Sequence, residues 1–170
     1  MYTRGTTACF TGHRKLREPA ADITARIIET TEVLIQSGYE IFCAGGARGF
    51  DILASEAVLS LQSKYPQVKL VLILPFYNQY RFDKDWTKAD IELYHKLQES
   101  AAHTTILAYE FDSDMYFERN RMLVDASSIC IAYMNRTKSG AGYTVNYARK
   151  QGVQVINLAD HDGGPAAKGK

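Results

Sequence analysis

Apolar runs and apolar residues at helical spacing alternate along almost the whole chain. Six apolar runs are predicted to be strands: residues 6–11, 39–44, 68–74, 104–108, 128–134 and 153–158. Residues such as Ile23, Ile27 and Leu34 recur at helical spacing between the runs and predict helices. The third run is almost continuously apolar, as in a strand that is covered on both faces. The alternation therefore predicts an α/β fold with three α/β/α layers and a mainly parallel sheet of about six strands.

Neither an internal repeat nor a linker interrupts this alternation, so residues 1–158 are expected to form one domain. Residues 159–170 contain several glycines and a proline without apolar periodicity, which predicts a flexible C-terminal tail. The longest apolar run, residues 68–75, is much shorter than the ~18 residues of a membrane span. We therefore expect no membrane segment.

Composition indicates which class of binding partner the protein has and in which cellular compartment it is located. The chain has 170 residues and a formal net charge of +1, which argues against a strongly basic nucleic-acid-binding protein. Three cysteines in a chain without an export signal predict the reducing cytoplasm. No spacing of histidine, cysteine and acidic residues suggests a metal site.

Glycine and basic residues follow three of the predicted strands. Gly12, His13 and Arg14 follow the first strand, residues 45–49 (Gly-Gly-Ala-Arg-Gly) the second, and residues 135–142 the fifth. Ligands of open α/β sheets bind at the carboxyl ends of the strands. Glycine lets backbone N–H groups approach a phosphate, and arginine adds a two-pronged donor. The pattern predicts an anion site, although glycines that only turn the chain tightly are the alternative explanation.

Two common nucleotide-binding motifs are missing from the chain. No Gly-x-x-x-x-Gly-Lys-Ser/Thr sequence occurs, and no Gly-x-Gly-x-x-Gly follows the first strand. Their absence disfavours a P-loop NTPase and a standard dinucleotide-dependent dehydrogenase.

Two groups of motifs nevertheless resemble known families. Residues 10–14 (Phe-Thr-Gly-His-Arg) and 45–51 (Gly-Gly-Ala-Arg-Gly-Phe-Asp) resemble the paired signatures of the DNA-processing DprA (Smf) family. Residues 115–126 and 140–144 (Gly-Ala-Gly-Tyr-Thr) resemble the LOG pattern, in which a Glu-Arg helix precedes a Gly-Gly-x-Gly-Thr loop. A chain that carries both is most similar to the YpsA-like branch of the SLOG superfamily, and the resemblance covers residues 5–158.

The resemblance implies a Rossmann-like sheet that binds nucleotides or nucleotide-derived ligands, in proteins that are enzymes, nucleic-acid binders or sensors. LOG enzymes carry a catalytic glutamate three residues after the motif threonine, and here that position is Tyr147. An enzyme of this type would need another carboxylate, for which the candidates are Asp51, Glu118 and Asp125. Related folds often pair through helices, so a homodimer is expected by analogy.

The predicted ligand site combines the loops after the first, second and fifth strands with the fourth helix. Its residues are Gly12, His13, Arg14, Gly45, Gly46, Arg48, Gly49, Asp51, Arg119, Asn120, Gly140, Gly142 and Thr144. The first two loops would hold a phosphate, the third a second phosphate or the ribose, and Arg119 would neutralise charge. Simpler roles stay open: a first-turn acid for Asp51, a salt bridge for Arg119 and a structural hydrogen bond for Asn120.

The leading hypothesis is a cytoplasmic sensor or regulatory protein that binds a phosphorylated nucleoside-type ligand. The alternatives are a LOG-like phosphoribohydrolase, which cleaves an N-glycosidic bond, and a single-stranded DNA binder of the DprA type. The near-neutral net charge makes nucleic acid the less expected partner. Aromatic residues at 75–81 are a candidate surface for stacking a base, whereas Trp86 is expected to pack in the core or against a partner.

Overall fold

The computed structural model describes residues 2–159, in which six strands and five helices alternate. The strands are β1 (Thr7–Gly12), β2 (Ile41–Ala44), β3 (Lys69–Phe76), β4 (His103–Ala108), β5 (Ile129–Tyr133) and β6 (Gln154–Asn157). The helices are α1 (Ala20–Gln36), α2 (Phe50–Leu61), α3 (Lys88–Ser100), α4 (Asp114–Asp125) and α5 (Gly140–Lys150). Every strand boundary lies within two residues of its predicted position.

The strands form one sheet in the order β4-β3-β2-β1-β5-β6, and every neighbouring pair is parallel. The chain builds outward from β1 to β4 and then returns to the other side of β1 with β5. Right-handed crossovers then require the helices before and after this reversal to lie on opposite faces. The strand order therefore switches direction between β1 and β5, where ligands of such sheets bind.

The two faces of the sheet are covered by different helices. Alternate residues of β1 show this, since Ala8 and Phe10 pack with α1, α2 and α3, whereas Cys9 packs with α4 and α5. Because both faces are covered, β3 is apolar and buried along almost its entire length. The predicted three-layer α/β/α fold with a parallel sheet is confirmed.

The C-terminal end of the described chain packs against the domain. Ala159, the first residue of the predicted tail, is buried in the core beside α1–α3, and the rest of that tail lies outside the described residues. Within residues 2–159, no helix combines the length and the hydropathy that a membrane crossing needs.

The central strand supplies the first testable prediction. Leu72 is almost fully buried in β3, between Ala44 of β2 and Thr104 of β4. Leu72→Ala should lower the free energy of unfolding by about 2–5 kcal/mol, because it removes buried methyl groups and leaves a cavity. Val33→Ala, on the exposed side of α1, should change it by about 0.5 kcal/mol or less. Urea denaturation measures both, and equal losses would contradict the packing described.

Candidate anion-binding site

A pocket of about 450 Å³, here called the outer pocket, opens at the carboxyl ends of the strands beside the β1/β5 switch. Four cationic side chains, two carboxylates and the first turn of α5 contribute to its lining. These residues are Gly12, His13, Arg14, Lys15, Arg48, Asp83, Asp85, Arg136, Ser139, Gly140 and Ala141. The excess of cations over carboxylates, in a concave surface that concentrates the field, favours an anionic ligand.

The loops after β1 and β2 are held together by backbone contacts. The N–H of Phe50, at the start of α2, donates to the carbonyl oxygen of His13 at 3.2 Å. Gly49 makes this approach feasible, because its φ of +81° is in the left-handed region. A Cβ atom at Gly49 would lie 2.4 Å from the carbonyl oxygen of Arg14. The close approach at Gly49 therefore brings the loop that carries Arg14 and the loop that carries Arg48 to the same pocket.

The two arginines differ in how fully the protein satisfies them. Nη1 of Arg14 lies 2.9 Å from Oδ1 of Asp83, and its guanidinium is 5.6 Å from the ring centre of Tyr116. Nη2 of Arg48 lies 3.9 Å from Oδ2 of the exposed Asp85. Nε of Arg48 is buried and has no hydrogen-bond partner among the described residues. A buried donor without a partner is costly, so a hydrogen-bond acceptor beside Nε would stabilise Arg48.

His13 ties the β5–α5 loop (residues 134–139) to the first loop. Its Nε2 atom accepts hydrogen bonds from the backbone N–H groups of Asn135 at 3.0 Å and Arg136 at 3.3 Å. Burial lowers the pKa of His13, and the positive charges of Arg136 and Arg17 lower it further. Because Nε2 accepts these bonds, it carries no proton. At neutral pH the imidazole is therefore uncharged and keeps its one proton on Nδ1. His13 positions the loop that carries Arg136.

The third loop leads into α5, whose first turn lines the pocket. Ser139 caps the helix: its Oγ accepts from the N–H of Gly142 at 2.9 Å and donates to the carbonyl of Arg136 at 2.7 Å. Gly140 has open space where a side chain would stand. Gly140 and Ala141, at the positive end of the helix dipole, therefore lie beside a region with room for an anion.

A smaller inner recess of about 130 Å³ shares Gly12, Arg14, Gly140 and Ala141 with the outer pocket. Its other polar side chains include Asp51, Arg119 and Asn120. Two of these polar groups are held by backbone atoms of the β2–α2 loop (residues 45–49). Nη1 of Arg119 donates to the carbonyl of Gly45 at 2.5 Å, and Oδ2 of Asp51 accepts from the N–H of Ala47 at 3.2 Å.

Asp51 and Arg119, which both line the inner recess, each act on the pKa of the other. Burial raises the pKa of the Asp51 carboxyl, while the nearby Arg119 guanidinium and the Ala47 N–H act to lower it. Burial lowers the pKa of Arg119, and Asp51 opposes that effect. Nε of Arg119 also donates to Oδ1 of Asn120 at 2.8 Å. The group behaves as a buried polar network that supports the β2–α2 loop from beneath.

The structure separates the predicted site residues into two sets. Eight line the outer pocket or the inner recess: Gly12, His13, Arg14, Arg48, Asp51, Arg119, Asn120 and Gly140. The other five contact protein atoms below the lining: Gly45, Gly46, Gly49, Gly142 and Thr144. A Cβ atom at Gly142, for example, would lie 1.9 Å from the carbonyl oxygen of Thr137. Close packing of this kind explains why position 142 has no side chain.

Of the three candidate catalytic carboxylates, Asp51 alone lines the recess formed by the described residues. Glu118 accepts a hydrogen bond from Arg121 at 2.6 Å, and the exposed Asp125 accepts one from Tyr147 at 2.9 Å. Both lie on α4 and outside the two linings as the described residues form them. Of these three candidates, Asp51 is therefore the one that the structure places at the recess.

Four charged lining residues were not among the predicted site residues: Lys15, Asp83, Asp85 and Arg136. Lys15 and Arg136 satisfy the strand-end criterion that identified Arg14 and Arg48, so the same reasoning extends to them. The two aspartates come from the β3–α3 loop (residues 77–87), which contains no glycine and gives no such signal. Their presence reflects the folding of that loop over Arg14 and Arg48.

The His13 contact predicts a pH dependence of stability. Because the pKa of His13 is lowered below its ordinary value of 6.5, the unfolded chain binds a proton more readily than the folded protein. The stability that neutral His13 contributes should be complete above about pH 6.5 and decrease as the pH falls below it. Tm measured from about pH 8 to about pH 5 should fall more steeply for the wild type than for His13→Gln, which cannot titrate. Parallel curves would contradict the role assigned to His13.

Solved structures with a similar fold include two bacterial DNA processing proteins. DNA processing protein A from Helicobacter pylori, described for its single-stranded DNA binding mode, superposes with a TM-score of 0.68 at 18% identity. The match covers 95% of this chain and 68% of that one. DprA from Streptococcus pneumoniae gives a TM-score of 0.63 at 17% identity, over 89% of this chain and 49% of that one. At these identities the likeness concerns the fold.

Curated relatives are UPF0398 proteins of Bacillus. The protein from Bacillus licheniformis is 28% identical over 120 residues, which are 69% of this chain and 64% of the relative. UPF0398 protein YpsA of Bacillus subtilis is 28% identical over 123 residues, covering 71% of this chain and 67% of that protein. The matched region thus spans about two thirds of the length of these relatives.

A family-level match covers most of the described domain. The model of the YspA SLOG family matches residues 12–157, from the end of β1 to the end of β6. This range includes the whole lining of the outer pocket and, apart from Phe10 and Thr11, the lining of the inner recess and both groups of motifs. The protein belongs to the YspA SLOG family.

Proposed function

We propose that the outer pocket binds the phosphate of a nucleotide or nucleotide-derived ligand, and that the protein acts as a sensor or regulatory protein. One observation carries the proposal: the buried Nε of Arg48 has no partner among the described residues, in a pocket with three further cationic side chains. A phosphate oxygen would satisfy that donor. The guanidinium fork of Arg14 and the first turn of α5 would contact the remaining oxygens.

The carboxylates of the pocket are compatible with this ligand. Asp85 is well exposed and lies 3.9 Å from Arg48, at the limit of an ion pair. Exposed pairs of this kind contribute little to stability. A phosphate carrying up to two negative charges would therefore replace Asp85 at small cost, whereas Asp83 would continue to orient Arg14.

A cytoplasmic location belongs to the same proposal. Cys9, Cys43 and Cys130 are buried and free rather than joined in disulfides. Free thiols are typical of proteins in a reducing compartment. Burial raises the pKa of the Cys43 thiol to about 12, so this cysteine fits a packing role rather than a reactive one.

Single-stranded DNA is a second candidate ligand, favoured by the structural similarity to the Helicobacter pylori protein. The cationic pocket would take one or two backbone phosphates. Fluorescence anisotropy with a labelled oligonucleotide at increasing salt tests this candidate, since affinity through phosphate contacts falls steeply with salt. Tighter binding of the oligonucleotide than of a nucleotide, with such a salt dependence, would favour this candidate over the first.

An N-glycosidic-bond hydrolase is the enzymatic alternative, and it would depend on Asp51. Incubation with a panel of nucleotides, followed by chromatography, should give no free base if the protein only binds its ligand. Release of free base by the wild type that stops in Asp51→Asn would replace the sensor proposal with the hydrolase.

Arg48→Ala tests the phosphate site directly. It should weaken the binding of adenosine 5′-monophosphate by about 1–3 kcal/mol, the contribution of a charged hydrogen bond. Isothermal titration calorimetry measures the change. Arg121→Ala is the matched control, because Arg121 pairs with Glu118 on α4 outside the pocket lining of the described residues. Unchanged binding by Arg48→Ala, or equal losses in both variants, would refute the assignment of Arg48.

A further inference from the structure

Four aromatic rings form a cluster beside the outer pocket, here called the aromatic ledge: Phe76, Phe82, Phe111 and Tyr116. Phe76 lies at its centre, with ring centroids 5.2 Å from Phe82, 5.6 Å from Phe111 and 5.5 Å from Tyr116. The rings of Phe82 and Phe111 are 5.0 Å apart. Phe76 is buried, whereas Phe82 and Phe111 are 44% and 55% exposed. The apolar rings of Phe82 and Phe111 thus face solvent on one side and pack against the buried Phe76 on the other.

The ledge shares Phe76 with the aromatic stretch 75–81 expected from the sequence, but its exposed rings come from outside that stretch. Tyr80, within the predicted stretch 75–81, instead packs against Trp86 and Tyr94, with centroids 6.1 and 5.8 Å away. Trp86 also stacks edge-on against the buried Tyr94 at 5.4 Å. These three rings anchor the β3–α3 loop to α3. The exposed rings, Phe82 and Phe111, come from two loops that follow neighbouring strands.

Arg14 connects the ledge to the outer pocket. Its guanidinium lies 5.6 Å from the ring centre of Tyr116 and forms the ion pair with Asp83, the residue next to Phe82. The same side chain lines the outer pocket and the inner recess. The cationic lining and the aromatic surface are therefore continuous through a single residue.

We propose that the aromatic ledge stacks the nucleobase of the ligand whose phosphate occupies the outer pocket. This inference rests on the proposed function and specifies its ligand: one that carries a base as well as a phosphate. Stacking on Phe82 and Phe111 covers apolar surface that is otherwise exposed, and every base offers a π-face to it. Arg14 stands between the two subsites, where the sugar of a nucleoside 5′-monophosphate would pass.

The charge around the ledge favours a mononucleotide over a nucleic-acid strand. Exposed carboxylates of Glu110 and Asp112 flank Phe111 in the β4–α4 loop (residues 109–113). A strand that continued past the first base would bring further phosphates toward these acids. Repulsion between like charges opposes that path, whereas a base alone brings no charge to the ledge.

The experiment compares two probes that differ only in the base: adenosine 5′-monophosphate and ribose 5-phosphate. In calorimetry the wild type should bind the nucleotide about 5- to 150-fold more tightly, the range expected for stacking one base. Phe111→Ala should remove most of that difference and leave the affinity for ribose 5-phosphate unchanged. Tyr2→Ala is the matched control, because Tyr2 is similarly exposed and lies near Lys69 at the start of β3. It should bind both probes as the wild type does.

The possible results separate this inference from the proposed function. Binding of neither probe by the wild type would overturn both proposals. Equal binding of the two probes, unaffected by Phe111→Ala, would overturn the ledge assignment and leave the phosphate site standing. Tighter binding of a short oligodeoxyadenylate than of the mononucleotide would overturn the proposal that the ligand is a mononucleotide. It would favour a nucleic-acid strand instead. If the wild type sediments as a dimer and Phe111→Ala as a monomer, with equal nucleotide affinity, the stacking proposal is overturned. The ledge is then an interface between copies of the chain.

Discussion

The candidate site depends on one close backbone contact, between the loops that follow β1 and β2. Gly49 passes so near the carbonyl of Arg14 that any side chain would collide with it, and the next N–H bonds to His13. His13 in turn accepts from two N–H groups of the β5–α5 loop. Three loops are thus joined by main-chain hydrogen bonds and by the His13 side chain. These contacts bring the backbones of Arg14 and Arg48 to one pocket, and such preorganisation would reduce the entropic cost of binding a ligand there.

Charge is distributed so that a nearly neutral chain has a pocket with an excess of cationic side chains. Four cations and two carboxylates line the outer pocket, while the formal net charge of the whole chain is only +1. At the inner recess, Arg119 and Asp51 form hydrogen bonds to the β2–α2 loop. The net charge of the chain therefore says little about this pocket, because the local arrangement of charges sets its field.

The sequence predicts the fold well and the site in part. Apolar periodicity locates the strands, because both faces of a parallel sheet must be buried, and the strand-end criterion finds Arg14 and Arg48. The criterion cannot distinguish a glycine beside open space, such as Gly140, from one packed against a neighbouring carbonyl, such as Gly142. The meeting of Phe82 with Phe111 was beyond sequence reasoning, since two irregular loops bring them together without any local pattern.

The proposed site would hold a phosphate among Arg14, Arg48 and the first turn of α5. A crystal structure of the protein with adenosine 5′-monophosphate bound would test this placement. We expect phosphate oxygens at hydrogen-bond distance from Nε of Arg48 and from the Arg14 guanidinium, with the adenine ring against Phe82 and Phe111. A nucleotide bound elsewhere on the molecule, with Arg48 Nε still lacking an acceptor, would contradict it.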